Sequence, residues 1–323
     1  MRLSFIAMRA VSLFITFLLV MSAIFFLARA TGDPFAELIE QDPRIPKSAV
    51  ERLRAKWGLD KPLIWQYFDF IKSMFQGEFG YSVNYLQPVF DVIKQKLPWT
   101  LFLLTTSIIL STIGAVLLGA YTAWKRGSRF DLIATNIALF IRSTPHFWLG
   151  MVLMLVFAFY FPIFPLFGAL TPGVKHESTF AFLKDLFWHA SLPLTTLVLR
   201  QIGMYMLYMR SATLEVLGED FIVTAKAKGL AERKVLFRHA VRNSLLPMVT
   251  VTALRFGFMV NGAILTETVF SYPGTGRLIY EAIINSDYFL LQGAFFITSV
   301  CVLIANLIAD LLYAYLDPRV RVG

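Results

Sequence analysis

Long apolar runs recur through this chain and constrain it more than any single motif. A mostly apolar stretch from Ala10 to Ala28 is followed by further runs near 101–124, 132–161, 191–209, 246–269 and 290–315. A helix rises about 1.5 Å per residue, so about 20 apolar residues cross the hydrocarbon core of a bilayer. In lipid the backbone must satisfy its own hydrogen bonds, which leaves the helix as the structure for runs of this length. The expected fold class is all-α, a polytopic membrane protein with six transmembrane helices. Hydrophobic residues make up 57% of the 323, above the roughly one-half typical of soluble domains.

Arg2 and Arg9 precede the first run, and Ala28-Arg29-Ala30 has the small-x-small pattern of a signal-peptide cleavage site. Signal h-regions are about 7–15 residues. This run has 19 residues and more runs follow, so an uncleaved first helix is expected. Basic residues fix the sidedness. Arg2 and Arg9, then Lys125, Arg126 and Arg129, then the set from Arg210 to Arg242, and finally Arg319 and Arg321 alternate with short outward segments holding only Lys175 and Lys184, or Arg277, while the long outward segment from Arg29 to Pro98 carries charges of both signs and long loops translocate largely regardless of charge. The positive-inside rule places both termini in the cytoplasm. The net charge of +9 follows from this distribution, so no nucleic-acid partner is expected. The one cysteine, Cys301, excludes an internal disulfide, and His146, His176, His189 and His239 lack close i,i+4 pairing, so no metal site is expected. There is no Gly-x-x-x-x-Gly-Lys-Ser/Thr loop and no Gly-x-Ser-x-Gly elbow. The chain is therefore not expected to be an enzyme or to bind a cofactor.

Between the fourth and fifth runs lies a charged, helix-prone segment, Asp220 to Pro247, reading DFIVTAKAKGLAERKVLFRHAVRNSLLP. Ala225, Ala227 and Ala231 keep its backbone approachable, Gly229 permits a left-handed bend, and Pro247 ends one helix. A short helix, a turn and a second helix at the cytoplasmic surface are expected.

Thr224-Ala225-Lys226-Ala227-Lys228-Gly229-Leu230, followed by His239-Ala240-Val241-Arg242-Asn243, resembles the EAA loop of ATP-binding-cassette importer permeases, in the form found in the oligopeptide/dipeptide group. Arg242 and Ala231 stand where many relatives have Pro and Ser, so the resemblance does not carry a side-chain cap over to the second helix. Gly32-Asp33-Pro34, Leu59-Asp60-Lys61-Pro62, Gly77-Glu78-Phe79-Gly80-Tyr81-Ser82 and Leu97-Pro98-Trp99-Thr100-Leu101 are similar to motifs of the B-type subunit. So are the stretch from Gly262 through Glu267-Thr268-Val269-Phe270 to Pro273-Gly274-Thr275-Gly276 and the ending Asn306 to Arg319. The resemblance implies half of a translocation path for di- or oligopeptides, with oligosaccharides or nickel as the alternatives that related permeases carry. It implies a second, related permease subunit, two cytoplasmic ATPase subunits that bind the ATP and Mg, and a substrate-binding protein on the outer face of a prokaryotic inner membrane. It also implies that Ala225–Lys228 and Gly229 sit deepest in an ATPase groove, with His239 and Asn243 anchoring the second helix to the spans.

The expected organisation is a first helix over 1–28, an external subdomain over 29–98, a five-helix core over 99–316 with the coupling loop at 211–247, and a cytoplasmic tail over 317–323. Ser48 is the expected cap of a helix in the external segment, whose Trp57, Trp65, Tyr67, Phe68 and Phe70 suit a membrane interface or a small packed cap. Ser143-Thr144-Pro145 predicts a kink in the third span, and 162–192 predicts loop plus a short interfacial helix. Arg200 and Arg255 fall near the bilayer midplane, where an arginine facing lipid costs at least about 2.5–3.5 kcal/mol. They are candidates for lining the path, with satisfaction by backbone carbonyls or a partner's acid as the alternative. Glu267 and Asp310, near helix ends, are read as structural. A secondary transporter or channel would call for midplane ion sites and internal repeats, and neither is found.

Overall fold

The computed structural model describes residues 3–30, 47–56, 58–245, 248–249, 251–252 and 263–316. Helix α1 covers Leu3–Ala30. The segment after α1 contributes α2 (Lys47–Lys56), α3 (Leu63–Gln76) and a short antiparallel hairpin of β1 (Tyr81–Ser82) with β2 (Gln87–Pro88), in which Tyr81 faces Pro88 and Ser82 faces Gln87. Then come α4 (Val89–Trp124), α5 (Arg129–Ser143) and α6 (His146–Met154), the last continuing as a π-helix over Leu155–Tyr160. The long α7 (Thr179–Leu217) leads to α8 (Asp220–Ala227) and α9 (Glu232–Lys234), which runs on as a π-helix over Val235–Val241. The chain closes with α10 (Ile264–Val269), α11 (Thr275–Ile284) and α12 (Tyr288–Leu316).

Among the described residues α4 is long and apolar enough to cross a bilayer by itself, and α5 with His146–Tyr160 qualifies as a pair bent by 100°. Shorter apolar stretches lie at Val11–Leu27 and Tyr288–Ile304. The bend is much sharper than the kink expected at Ser143-Thr144-Pro145. Thr144 is extended, with φ −80° and ψ 132°, the conformation to which a following proline confines a residue. Pro145 lacks an N–H, so α5 stops and α6 starts afresh. The hydroxyls of Ser143 and Thr144 donate to the carbonyl of Phe140, at 2.9 and 2.8 Å, and satisfy the end of α5 locally.

Other boundaries shift too. Helix α4 begins at Val89 and carries Pro98 inside it, so the division expected between residues 98 and 99 falls within a helix. The segment 162–192 is loop only as far as Ser178, whose side chain accepts from the Ala181 amide at 3.2 Å; α7 then runs through Pro193 without a break. Burial of Ala190, Leu192, Leu194 and Leu197 on either side of Pro193 offsets its missing hydrogen bond. Because α7 reaches Leu217, the element expected over 211–247 starts at Gly218. Ser48 lies within α2 rather than ahead of it. Trp57 and most of the 246–269 run lie outside the described residues.

Glycines set how closely the spine helices pack. A methyl added at Gly119 of α4 would sit 2.6 Å from the Met206 carbonyl oxygen and 2.7 Å from Met209 Cβ of α7. One added at Gly203 of α7 would sit 2.8 Å from the Ala138 carbonyl oxygen of α5. Small residues thus let α4, α7 and α5 approach backbone to backbone. One core joins Phe17, Met21 and Phe25 of α1 to Phe70 and Met74 of α3, Val92 and Ile93 of α4, Leu278 and Ile279 of α11, and Leu290 of α12. A second, at the far end of α7, joins Tyr205, Met206 and Met209 to Ile222 and Ala225 of α8 and to Val235, Leu236 and Ala240 of the α9 segment.

Candidate coupling site

The segment from Asp220 folds as the sequence predicts, a short helix, a turn and a second helix, and the second core shows how it is held. Ile222 and Ala225, three positions apart, share the face of α8 turned into that core. Full burial of one such isoleucine contributes about 1.5–3 kcal/mol. The opposite face stays bare: Phe221 is 41% and Val223 62% exposed. Thr224 bonds its own helix through the Asp220 carbonyl at 3.0 Å. The helix closes with the Gly229 amide donating to the Lys226 carbonyl at 2.9 Å. Gly229 itself has φ +70°, the left-handed turn that glycine adopts without a Cβ penalty. No atom lies within 4 Å of where its Cβ would stand, so the tip projects into open space. Ala227 and Lys228 are exposed beside it, and Leu230 turns partly back toward the core.

Helix α9 starts at Glu232, and Ala231 before it supplies no side-chain cap. Its attachment to the spans differs from the expectation. The Asn243 amide donates to the His239 carbonyl of its own helix at 2.7 Å and is exposed, while His239 is half-buried. The anchor is Ser244, buried, whose hydroxyl donates to the Ala240 carbonyl at 2.8 Å and reaches the Ala212 carbonyl of α7 at 3.4 Å, together with Val235, Leu236, Ala240 and Val241. Small and apolar side chains do this work because the surface they meet is itself apolar.

Trp124, at the end of α4, was not singled out by sequence reasoning. Lys226 Nζ lies 5.3 Å from its ring centroid and its indole N–H reaches Glu232 Oε2 at 3.4 Å, so it touches both helices of the element. Nearby, Arg210 of α7 makes a two-pronged ion pair with Asp131 of α5, which also accepts from the Gly127 amide at 2.9 Å. An aromatic residue and an acid flanking the Lys125–Arg129 turn are the only sequence signals for these contacts.

Of the two arginines expected to line a path, Arg200 is exposed midway along α7. Gln201 beside it links Ser107 and Ser111 of α4, each at 3.2 Å. Arg255 lies outside the described residues, as does the side chain of Asp310.

The other end of the molecule is held by three carboxylates. Glu267 is fully buried; it accepts from the Thr100 hydroxyl at 2.8 Å and from the Arg277 amide at 3.0 Å, so it caps α11. Asp287 is also fully buried and joins α12 to the hairpin, accepting from the Ser82 hydroxyl and the Asn84 amide. Asp185 of α7 accepts from the amide and hydroxyl of Thr171, both at 2.8 Å, and pairs with His176 at 3.0 Å and His189 at 3.1 Å. Burial opposes its ionisation, but the Thr171 and His176 bonds outweigh this and hold its carboxyl below the usual aspartate range. Among the described residues no group of three or more His, Cys, Asp or Glu side chains could hold a metal ion.

Residues 115–322 match the family described as binding-protein-dependent transport system inner membrane component, and residues 2–104 match its N-terminal counterpart. The chain is 34% identical over 312 aligned positions to the dipeptide transport system permease protein DppB of Escherichia coli (strain K12), covering 92% of each. It is 35% identical over 293 positions to the oligopeptide transport system permease protein AppB of Bacillus subtilis (strain 168), 90% of each, and 35% over 336 to the di/tripeptide transport system permease protein DppB of Pseudomonas aeruginosa (strain UCBPP-PA14), 99% of each. With both family matches spanning nearly its whole length, this chain belongs to the family of binding-protein-dependent transport system inner membrane components.

Proposed function

We propose that this chain is the transmembrane permease subunit of an ATP-driven importer and forms half of the path through which di- or oligopeptides cross the membrane. It would cross the bilayer six times with both termini in the cytoplasm, beside a second, related permease subunit. Two cytoplasmic ATPases would bind ATP and Mg, and a substrate-binding protein would deliver the peptide from outside. The supporting observation is the helix–turn–helix at Asp220: one face is locked into the α4–α7 core while Phe221, Val223 and the Gly229 tip are left uncovered. An element fixed on one side and apolar on the other transmits a partner's movement to the spans. ATP-driven closure of the ATPases would then favour one arrangement of the spans over the other, which is what makes the switch meaningful. The relatives' names supply the substrate class. In the same reading Arg200 and Arg255 line the path and attract the peptide carboxylate.

Gly229→Trp in the assembled complex tests this. It places bulk at the uncovered tip and should abolish ATP-driven uptake while insertion persists. Because φ is +70° there, backbone strain must be separated from bulk. Gly229→Asn, a residue that tolerates this conformation, should retain most of the uptake. Full uptake by the tryptophan variant would overturn the assignment.

A further inference from the structure

Away from the coupling element, a cavity of about 210 Å³ opens between the external hairpin, α4 and α11, lined by Tyr85, Lys96, Pro273, Gly274, Arg277 and Glu281. Its one carboxylate is already engaged at both oxygens. Arg277 Nε donates to Glu281 Oε1 at 2.7 Å, and the Tyr85 hydroxyl donates to Glu281 Oε2 at 2.5 Å. Burial, and then this hydrogen bond, push the Tyr85 phenol well above its usual range, so it remains a donor. Lys96 is left over. Its ammonium lies 5.7 Å from the Tyr85 ring centroid, with no carboxylate within ion-pair distance among the described residues. The lining thus holds two cations against one satisfied anion.

We propose that this cavity is a carboxylate-binding site, with Lys96 as its principal charge and Arg277, oriented by Glu281, as the second cation. The carboxylate can come from an acidic side chain of the substrate-binding protein or from the transported peptide itself. The inference rests on the importer reading for its setting, but docking can be measured whether or not peptide is the substrate.

The test uses the complete complex in lipid nanodiscs and proteoliposomes with Lys96→Met and Lys96→Arg. Two quantities are read: affinity for the unliganded binding protein, and uptake of trialanine against trialanine amide. If the binding protein supplies the carboxylate, Lys96→Met weakens docking roughly ten- to hundredfold, the size of one charge-assisted hydrogen bond, and slows both peptides equally. If the peptide supplies it, docking is unchanged and the preference for trialanine over its amide falls by a similar factor. Lys96→Arg retains either effect, and unchanged basal ATPase activity shows that the complex is intact. Unaltered docking together with unaltered peptide preference in Lys96→Met overturns the site. A wild-type complex that docks its binding protein but moves neither peptide would instead count against the peptide importer reading.

Discussion

Arg210 grips Asp131 with two hydrogen bonds, Nε to Oδ1 at 2.7 Å and Nη2 to Oδ2 at 2.8 Å, tying the end of α7 to the first turn of α5. The geometry is the fork that guanidinium makes with carboxylate and that lysine cannot reproduce. Asp131 is nearly enclosed, with its side chain 4% exposed, whereas that of Arg210 is 24% exposed. Arg210→Met strands the carboxylate and should cost about 2–3 kcal/mol, below the value for a fully buried pair because Arg210 is partly solvated. Adding Asp131→Asn should recover at least half of that loss, since the stranded charge is gone. Thermal midpoints of the purified wild-type, single and double variants measure it. Strictly additive losses would show that the two residues act independently.

Glu267 and Gly274 form a second linked pair. The carboxylate occupies the start of α11, and a methyl on Gly274 would fall 2.3 Å from Glu267 Oε2 and 2.4 Å from Thr100 Oγ1. Gly274→Ala should therefore drive the carboxylate off α11 and resemble Glu267→Ala. Glu267→Gln keeps the shape but turns an amide toward donors, and should cost about 1–3 kcal/mol. Hydrogen exchange reads this directly: amides of 264–284 should exchange faster in all three variants, while those of 220–245 stay as in the wild type. Protection of 264–284 that survives Gly274→Ala would refute the cap.

Apolar periodicity and turn chemistry carried much of this architecture. The last run, read at 290–315, is α12 at Tyr288–Leu316, and the bend at Gly229 follows from its place between two helix-prone stretches. What escaped was set by contacts far apart in sequence. Thr100 reaches Glu267 across 167 positions and Arg210 reaches Asp131 across 79, and no local spacing announces either bond. The N-terminal parts of α4 and α7 escaped for another reason. Pro98 and Pro193 look like helix ends in isolation, yet tertiary burial carries the helices through them. At Pro145 the opposite holds, because two hydroxyls satisfy the broken end and little burial opposes the break. Ser244, which no motif marked, reaches the Ala212 carbonyl of α7, while the Asn243 amide bonds its own helix through the His239 carbonyl.

Asp185 sets an acid limit on the loop that precedes α7. The carboxylate is held ionised by Thr171 and His176 and pairs with His189, so its pKa in the folded chain lies below the unfolded value of about 3.9. A depressed carboxylate stabilises the fold fully above the unfolded value and loses that contribution as pH falls through the folded one. Proteolytic nicking within 161–178 of the intact chain should therefore stay flat from about pH 8 to about pH 5 and rise only under stronger acid. Asp185→Asn removes the anchor at every pH, so its loop should be nicked faster even at neutral pH, by an amount matching about 1–2 kcal/mol of local stability. The two profiles should converge in strong acid, where the wild-type carboxylate is protonated as well. If nicking of the wild type already climbs between pH 8 and pH 6, a group other than Asp185 controls the loop.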